Sequence, residues 1–384
     1  MATKHDERTR EIVPYRVRTA DDVTVELAYS SPRPAEAHDE EAVLETLPWF
    51  ERGKPTRNWM LHEIDLYDEV DQIWGRRWGA EGIGKLREVL VSRPTENEIR
   101  DEYAKEWQYY YSSRAGNADL GRLQAQFDEY YAVLEQAGVR VNYIEAPVPA
   151  IGAYGYLKNL VTLAGGGLVV RGGAIIHRMG LGSWQRGREV IWSQVLSALQ
   201  VPIYLTIHGT GVGEPGAGRW LDPKTFVFNE SVVANEEGLR QIEFILNGLG
   251  VEMITTHSSG WVETTNDGNW GTSHADMFLM VPDHRVAVLA PQLVNYGFVR
   301  YLMRNDWKVI EVPPEEYWAL ACNGVTLEPG KVILNAGSPR VVAELEKLGI
   351  EVIQIDFSES HNFAIAGLHC ATLELVRDQE PAGA

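Results

Sequence analysis

The sequence predicts an α/β fold in which five strand-strand-helix-strand units surround a pseudo-fivefold axis, an α/β propeller. Three observations carry this. Five amphipathic helical stretches are each followed by a short β-rich segment. Paired strands with turn residues between them precede most of these helices. The unit returns at a period of roughly 45–60 residues, which marks a repeat architecture rather than a string of unrelated domains.

In chain order, LREVLVSRP opens the first unit, and LGRLQAQFDEYYAVLEQAG and VRVNYIE continue it. NLVTLAGGGLVVRGGAIIHRM supplies two strands of the second, followed by RGREVIWSQVLSALQ and VPIYLTI. RWLDPKTFVFN, MFLMVPDHRVAVLAP and NGVTLEPGKVILNAG read as hairpins turning at Asp-Pro, Pro-Asp and Glu-Pro-Gly. Their helices are NEEGLRQIEFILNGLG, LVNYGFVRYLMRND and PRVVAELEKLG, and their closing strands VEMITTH, WKVIEVP and IEVIQID. Apolar residues at i, i+3, i+4 and i+7 give each helix one face to lay on a sheet. CATLELVRD has no helix after it, so it is expected to return to the first unit and close the ring. Residues 1–60 differ: SPRPAEAHDEEAV mixes proline with clustered acid, which predicts an arm with a short helix near residues 40–47. The expected division is an arm over 1–60 and one catalytic domain over 61–384.

Composition removes several functions. The net charge of −19 repels phosphate backbones, so no nucleic-acid partner is expected. Two cysteines in 384 residues make neither a disulfide framework nor a four-cysteine zinc module and point to a reducing, cytoplasmic setting. No apolar run reaches the roughly 18 residues of a membrane span, and the charged N-terminus has no signal-peptide core. The expected partner is a small-molecule substrate, with no membrane, no cofactor and no metal, in a homo-oligomer.

Three polar segments sit between strands: GVGEPGAGRW around Glu214, GNWGTSHADMF with His274 and Asp276, and NFAIAGLHCATLEL with His369 and Cys370. In a ring of repeats, strand starts converge at one mouth, so a thiol, an imidazole and two carboxylates can meet there. A thiol is mostly protonated at neutral pH and needs a cationic or hydrogen-bonding neighbour to act. An imidazole can move protons to a leaving group and from water. The ordinary readings compete with these. A lone cysteine is more often packing, as Cys322 in WALACNG is taken to be. An H-x-D pair is often a surface pair. His208, His274 and His369 lack metal-ligand spacing. The glycines at 165–167 lack the context of a dinucleotide loop and read as a turn.

These segments resemble the guanidino-group-modifying, or pentein, superfamily of arginine deiminases, dimethylarginine dimethylaminohydrolases and amidinotransferases. The resemblance spans about residues 86–378 and is strongest in LREVLVSRP, TIHGTG, WLDPKTFVF, NEEGL, SHADMF and the G-x-H-C-x-T of residues 367–372. It implies that Cys370 attacks an amidine-type carbon and that His274 is the general acid and base. Asp276 would orient His274 or hold substrate nitrogens, and Glu214 matches the first residue of the family's E-G-G-D motif. Gly165, Trp220, Trp270 and His369 are the expected substrate-binding residues, with Trp261 a further aromatic near the mouth. Ala217 stands where the motif has its Asp, the family's R-D pair maps near Ala164 and Gly165, and Val233 replaces a deiminase arginine. Lost ionic anchors imply a flat, less charged substrate: hydrolytic denitration of 2-nitroimidazole to imidazol-2-one and nitrite is expected first. Deimination or amidine transfer on a guanidino compound, with Arg178 or Arg219 replacing the lost anchor, is the alternative, and a non-catalytic binding protein the third.

Overall fold

A computed structural model describes residues 11–18, 24–31, 40–46, 50–54, 78–94, 119–144, 166–180, 187–257, 274–364 and 366–380. Among these, the strands form five separate sheets, none closed on itself. Four have one plan. A hairpin of β5 (Gly167–Val170) and β6 (Gly173–Ile176) leads through α3 (Arg188–Ala198) to β7 (Ile203–Thr206), parallel to β6. The same order joins β8 (Gly218–Asp222), β9 (Thr225–Glu230), α4 (Glu236–Gly248) and β10 (Glu252–His257). It recurs in β11 (Leu279–Asp283), β12 (Val286–Leu289), α5 (Tyr296–Arg304) and β13 (Lys308–Glu311). The last consecutive set is β14 (Val325–Glu328), β15 (Lys331–Asn335), α7 (Pro339–Lys347) and β16 (Glu351–Ile355), with the short α6 (Pro314–Tyr317) ahead of it. Parallel neighbours need a crossover, and the helix supplies it.

The fifth sheet takes its first strand from the far end of the chain. β17 (Leu373–Arg377) pairs antiparallel with β3 (Leu86–Ser92), which pairs parallel with β4 (Arg140–Ile144) across α2 (Leu120–Gln136). The return expected of CATLELVRD is therefore present. β1 (Glu11–Arg18) and β2 (Thr24–Ser31) form a hairpin, and β2 meets β4 at Tyr29 and Ile144. α1 (Glu40–Thr46) lies where the short helix was read.

Local chemistry explains the boundaries. Asp119, Asn235 and Asn295 cap α2, α4 and α5, each side chain accepting a backbone N–H three residues on. Gly138, Gly250 and Gly349 take positive φ after α2, α4 and α7, where an L side chain would be strained. Two turns differ from the sequence reading. β11 runs through Pro282 and Asp283, and the chain reverses at Arg285, whose φ is 55°. Proline is tolerated there because the ladder is broken between Met280 and Asp283. Gly167 opens β5 rather than a turn, because its carbonyl-side neighbours pair with β6; Gly165 lies outside the described residues.

Burial follows strand position. The middle strands β6, β9, β12 and β15 are nearly wholly buried, whereas the last strands β7, β10, β13 and β16 carry exposed residues, starting with Ile203, Glu252, Lys308 and Glu351. The last strand is thus the outer edge. The first strands face inward: β5, β8, β11, β14 and β17 all contribute to the wall of one cavity. No helix among the described residues is long and apolar enough to cross a membrane.

Candidate active site

Three short turns carry the reactive side chains to one place. Glu214 precedes a single 3-10 turn at Pro215–Ala217, which leads into β8. Its backbone N–H donates to Val233 O at 3.0 Å, and its Oε1 accepts the Gly180 N–H at 2.8 Å. His274 precedes a second such turn at Ala275–Met277, before β11. Cys370 sits in the turn before β17, where Ala371 N–H reaches Gly367 O and Leu368 O, both at 3.2 Å. Thr372 fastens that turn: its hydroxyl donates to Leu368 O at 2.8 Å and meets the Tyr130 hydroxyl of α2 at 2.5 Å.

Two hydrogen-bonded groups make up the cluster. His274 Nε2 is 2.9 Å from Glu214 Oε2. His369 Nδ1 is 2.9 Å from Asp276 Oδ2, and Cys370 Sγ is 3.6 Å from the same oxygen. Asp276 Oδ1 is buried and has no hydrogen-bond partner among the described residues. A Cβ on Gly216 would lie 3.0 Å from His274 Cγ and Nδ1 and 3.3 Å from Asp276 Oδ2, so this glycine lets the 214–217 turn lie against both. Glu214 and Asp276 are almost completely buried, so their charges act in a weakly screened setting.

Electrostatics divides the roles. Burial disfavours a charged His274, but the hydrogen bond and charge of Glu214, with Asp276, outweigh it and raise its pKa. Burial also works against an ionised Asp276, yet His369, His274 and Arg219 bring its pKa down to about 2. Burial, then Arg219, lowers His369, so it gives Asp276 the Nδ1–H of a neutral ring. Burial and the Asp276 charge raise the Cys370 pKa, so its thiol is protonated at rest. Cys322 is 1% exposed, its Sγ points at Val288 O, and burial raises it to about 12. It packs in the apolar core.

Of the residues expected from sequence, Cys370, His274, Asp276, Glu214 and His369 come together. Trp220 packs on Phe226 at 4.7 Å and lines one cavity together with His369. Gly165, Trp270 and Trp261 lie outside the described residues. Arg178 gives its guanidinium to Gly209 O and Gly211 O, and Arg219 to Leu279 O and Cys322 O. His208 stands apart, its backbone tied to Gln241. Among the described residues no three His, Cys, Asp or Glu side chains are placed to hold a metal ion. One contact went unread in the sequence: Asn323, which touches both the backbone and the sulfur of Cys370.

Comparison with known proteins follows the same residues. The arginine deiminase family model matches residues 221–377. A 2-nitroimidazole nitrohydrolase from Mycobacterium sp. (strain JS330) is 26% identical over 357 residues, covering 88% of this chain and 93% of that protein. N(G),N(G)-dimethylarginine dimethylaminohydrolase of Pseudomonas aeruginosa is 26% identical over 262 residues, 68% of this chain and 92% of that one. In structure, the citrulline complex of the Pseudomonas aeruginosa enzyme superposes with a TM-score of 0.59 at 23% identity, covering 75% of this chain and 99% of that one. An amidinotransferase of the saxitoxin pathway from Microseira wollei gives 0.61 at 15%, covering 79% and 98%. With the cysteine, histidine and acid positions assembled as above, the chain is an enzyme that resembles the arginine deiminases and dimethylarginine dimethylaminohydrolases of the pentein superfamily.

Proposed function

We propose that this protein is a cysteine-dependent hydrolase acting on the carbon between two nitrogens of a planar amidine-like molecule, with 2-nitroimidazole the first substrate. The observation that carries the reading is the pairing of a complete thiol, imidazole and carboxylate cluster with apolar residues at former anchor positions. Ala217 and Val233 are fully buried, so neither position offers a charge to a guanidinium or an α-carboxylate. Arg178 and Arg219 are engaged with backbone carbonyls, which speaks against either as a replacement carboxylate anchor. A relative covering 88% of the chain is named a 2-nitroimidazole nitrohydrolase.

In this reading the free Oδ1 of Asp276 accepts a ring N–H. The Cys370 thiol gives its proton to solvent water, and the sulfur bonds to C2. The electron pair displaced from the ring is received at a ring nitrogen, where His274, kept charged by Glu214, supplies a proton. The C–N bond to the nitro group then breaks and nitrite leaves with the bonding pair. Neutral His274 takes a proton from water and the water oxygen bonds to C2; the C–S bond then breaks as the C2 hydroxyl proton passes to the departing sulfur, which restores the Cys370 thiol. The products are imidazol-2-one and nitrite. The five sheets are proposed to stand as a ring about a pseudo-fivefold axis, supported by the one cavity that a strand of each sheet lines. Residues 61–384 are proposed as one catalytic domain in a cytoplasmic homo-oligomer, and light scattering of the full chain tests the assembly.

Incubation with 2-nitroimidazole and an assay for nitrite tests the reaction, with Cys370→Ala as the control. Release by the parent chain alone is expected. Equal release by both proteins removes the assignment, and ammonia or a new guanidino compound from arginine-like substrates would favour deimination or amidine transfer.

A further inference from the structure

Asn323 belongs to no family motif read from the sequence, and it is fully buried. It follows α6 in a turn entered through Leu320, whose φ of 59° is unusual for a branched side chain. Its backbone N–H is held by Leu320 O at 2.9 Å, and its carbonyl accepts the His369 N–H at 3.2 Å. The side chain then meets the nucleophile turn from both sides. Oδ1 accepts the Cys370 backbone N–H at 3.2 Å. Nδ2 donates to Asp276 O at 3.3 Å and to Cys370 Sγ at 3.2 Å.

The direction of this amide is fixed by its partners. Oxygen and nitrogen of an asparagine are assigned from the surrounding network. Here a backbone N–H lies on one side and a backbone carbonyl on the other, so oxygen must face Cys370 N and nitrogen must face Asp276 O. That orientation leaves an N–H facing the sulfur. The position also demands space: a Cβ on Gly367 would stand 2.5 Å from Asn323 Oδ1. One side chain thus joins the backbone of Asp276, the backbone of Cys370 and the sulfur itself.

We infer that Asn323 sets the Cys370 sulfur in position and donates a hydrogen bond to it as the thiolate forms. An N–H donor stabilises a sulfur anion and does less for a thiol, so it assists the proton loss that burial and Asp276 oppose. The groups that bear on the sulfur besides Asn323 are Asp276 and the Gly367 backbone directly, Arg219 at longer range, and His369 and His274 through Asp276. The inference rests on Cys370 as the nucleophile for its catalytic meaning, but its thiol chemistry can be read without turnover.

The test follows iodoacetamide alkylation of Cys370 by peptide mass spectrometry between pH 7 and 10. In Asn323→Ala the midpoint should move up by about one unit; if it lies above this range, the rate should fall about tenfold at each pH. Asn323→Asp keeps an acceptor for the Cys370 N–H but turns an oxygen toward the sulfur. A purely structural anchor predicts parental alkylation in this variant, whereas the donor predicts slowing at least as large as in the alanine variant. Gly367→Ala displaces the unaltered amide and should act in the same direction. Parental alkylation in any variant with a native circular dichroism spectrum overturns the inference. So does failure of all three to fold, which would leave Asn323 a structural residue alone. Turnover is measured separately: nitrite release that survives Cys370→Ala removes the proposed reaction without touching this thiol result.

Discussion

At the scale of single residues, the site depends on charges held against their own burial. His274 is disfavoured as a cation by its surroundings and restored by Glu214. Replacing Glu214 with Gln removes the charge while keeping a hydrogen-bonding side chain. The His274 pKa should fall, and the alkaline limb of turnover should move to lower pH, because the proton supplied to substrate is lost earlier. Imidazole titration by NMR reads this directly, and an unchanged His274 midpoint would show that Glu214 has no such role. Gly216 provides a steric counterpart. Adding one methyl there presses on the His274 ring and Asp276 Oδ2, so Gly216→Ala should reduce turnover roughly tenfold or more. Gly248→Ala meets nothing within 4 Å and should leave turnover at the parental value.

At the scale of elements, helix caps place catalytic loops as well as start helices. Asn235 Oδ1 accepts from Gly238 N and from Val212 N, and its Nδ2 donates to Thr210 O. The cap of α4 thereby holds the strand of chain that ends at Glu214. A Cβ on Gly238 would come within 2.0 Å of Val212 O, so cap and loop are in direct contact. Asn295 caps α5 by the same local bond, but its Nδ2 reaches Thr256 on β10, away from the cluster. Asn235→Ala and Asn295→Ala should each lower stability by about 1 kcal/mol, read from thermal unfolding. Only Asn235→Ala should also lower turnover; equal effects of the two on turnover would refute the coupling. The caps illustrate what sequence makes legible. Helices, closing strands and most turns followed from local periodicity and turn chemistry, and the lone strand at residues 373–377 needed a partner, so its return was foreseeable. The β1 hairpin was hidden because Pro14 argues against a strand, although an edge position accepts it. Asn323 was hidden for another reason: an asparagine before glycine reads as a turn residue, and its decisive partners lie 47 positions away in the chain.

At the scale of the whole molecule, the buried titratable groups make stability depend on pH in opposing ways. His177 is completely buried, and burial pushes its pKa down to about 3. Its unfolded value is near 6.5. Between these limits the unfolded chain binds a proton that the folded chain refuses, so stability falls as pH falls, by up to about 1.4 kcal/mol per pH unit. Asp276, lowered to about 2, acts in the same direction but only below the ordinary aspartate range. Glu81 acts oppositely, because burial raises its pKa and acid favours its folded form. Between about pH 6 and 4 His177 and His369, both lowered by burial, act together against Glu81. Urea midpoints measured across that interval should give a shallower slope for His177→Gln than for the parent chain, with the two curves meeting toward neutral pH if the substitution packs well. Parallel curves for His177→Gln and the parent would mean that the folded chain accommodates the His177 proton after all, and that its enclosure against Phe228 of β9 opens as the pH falls.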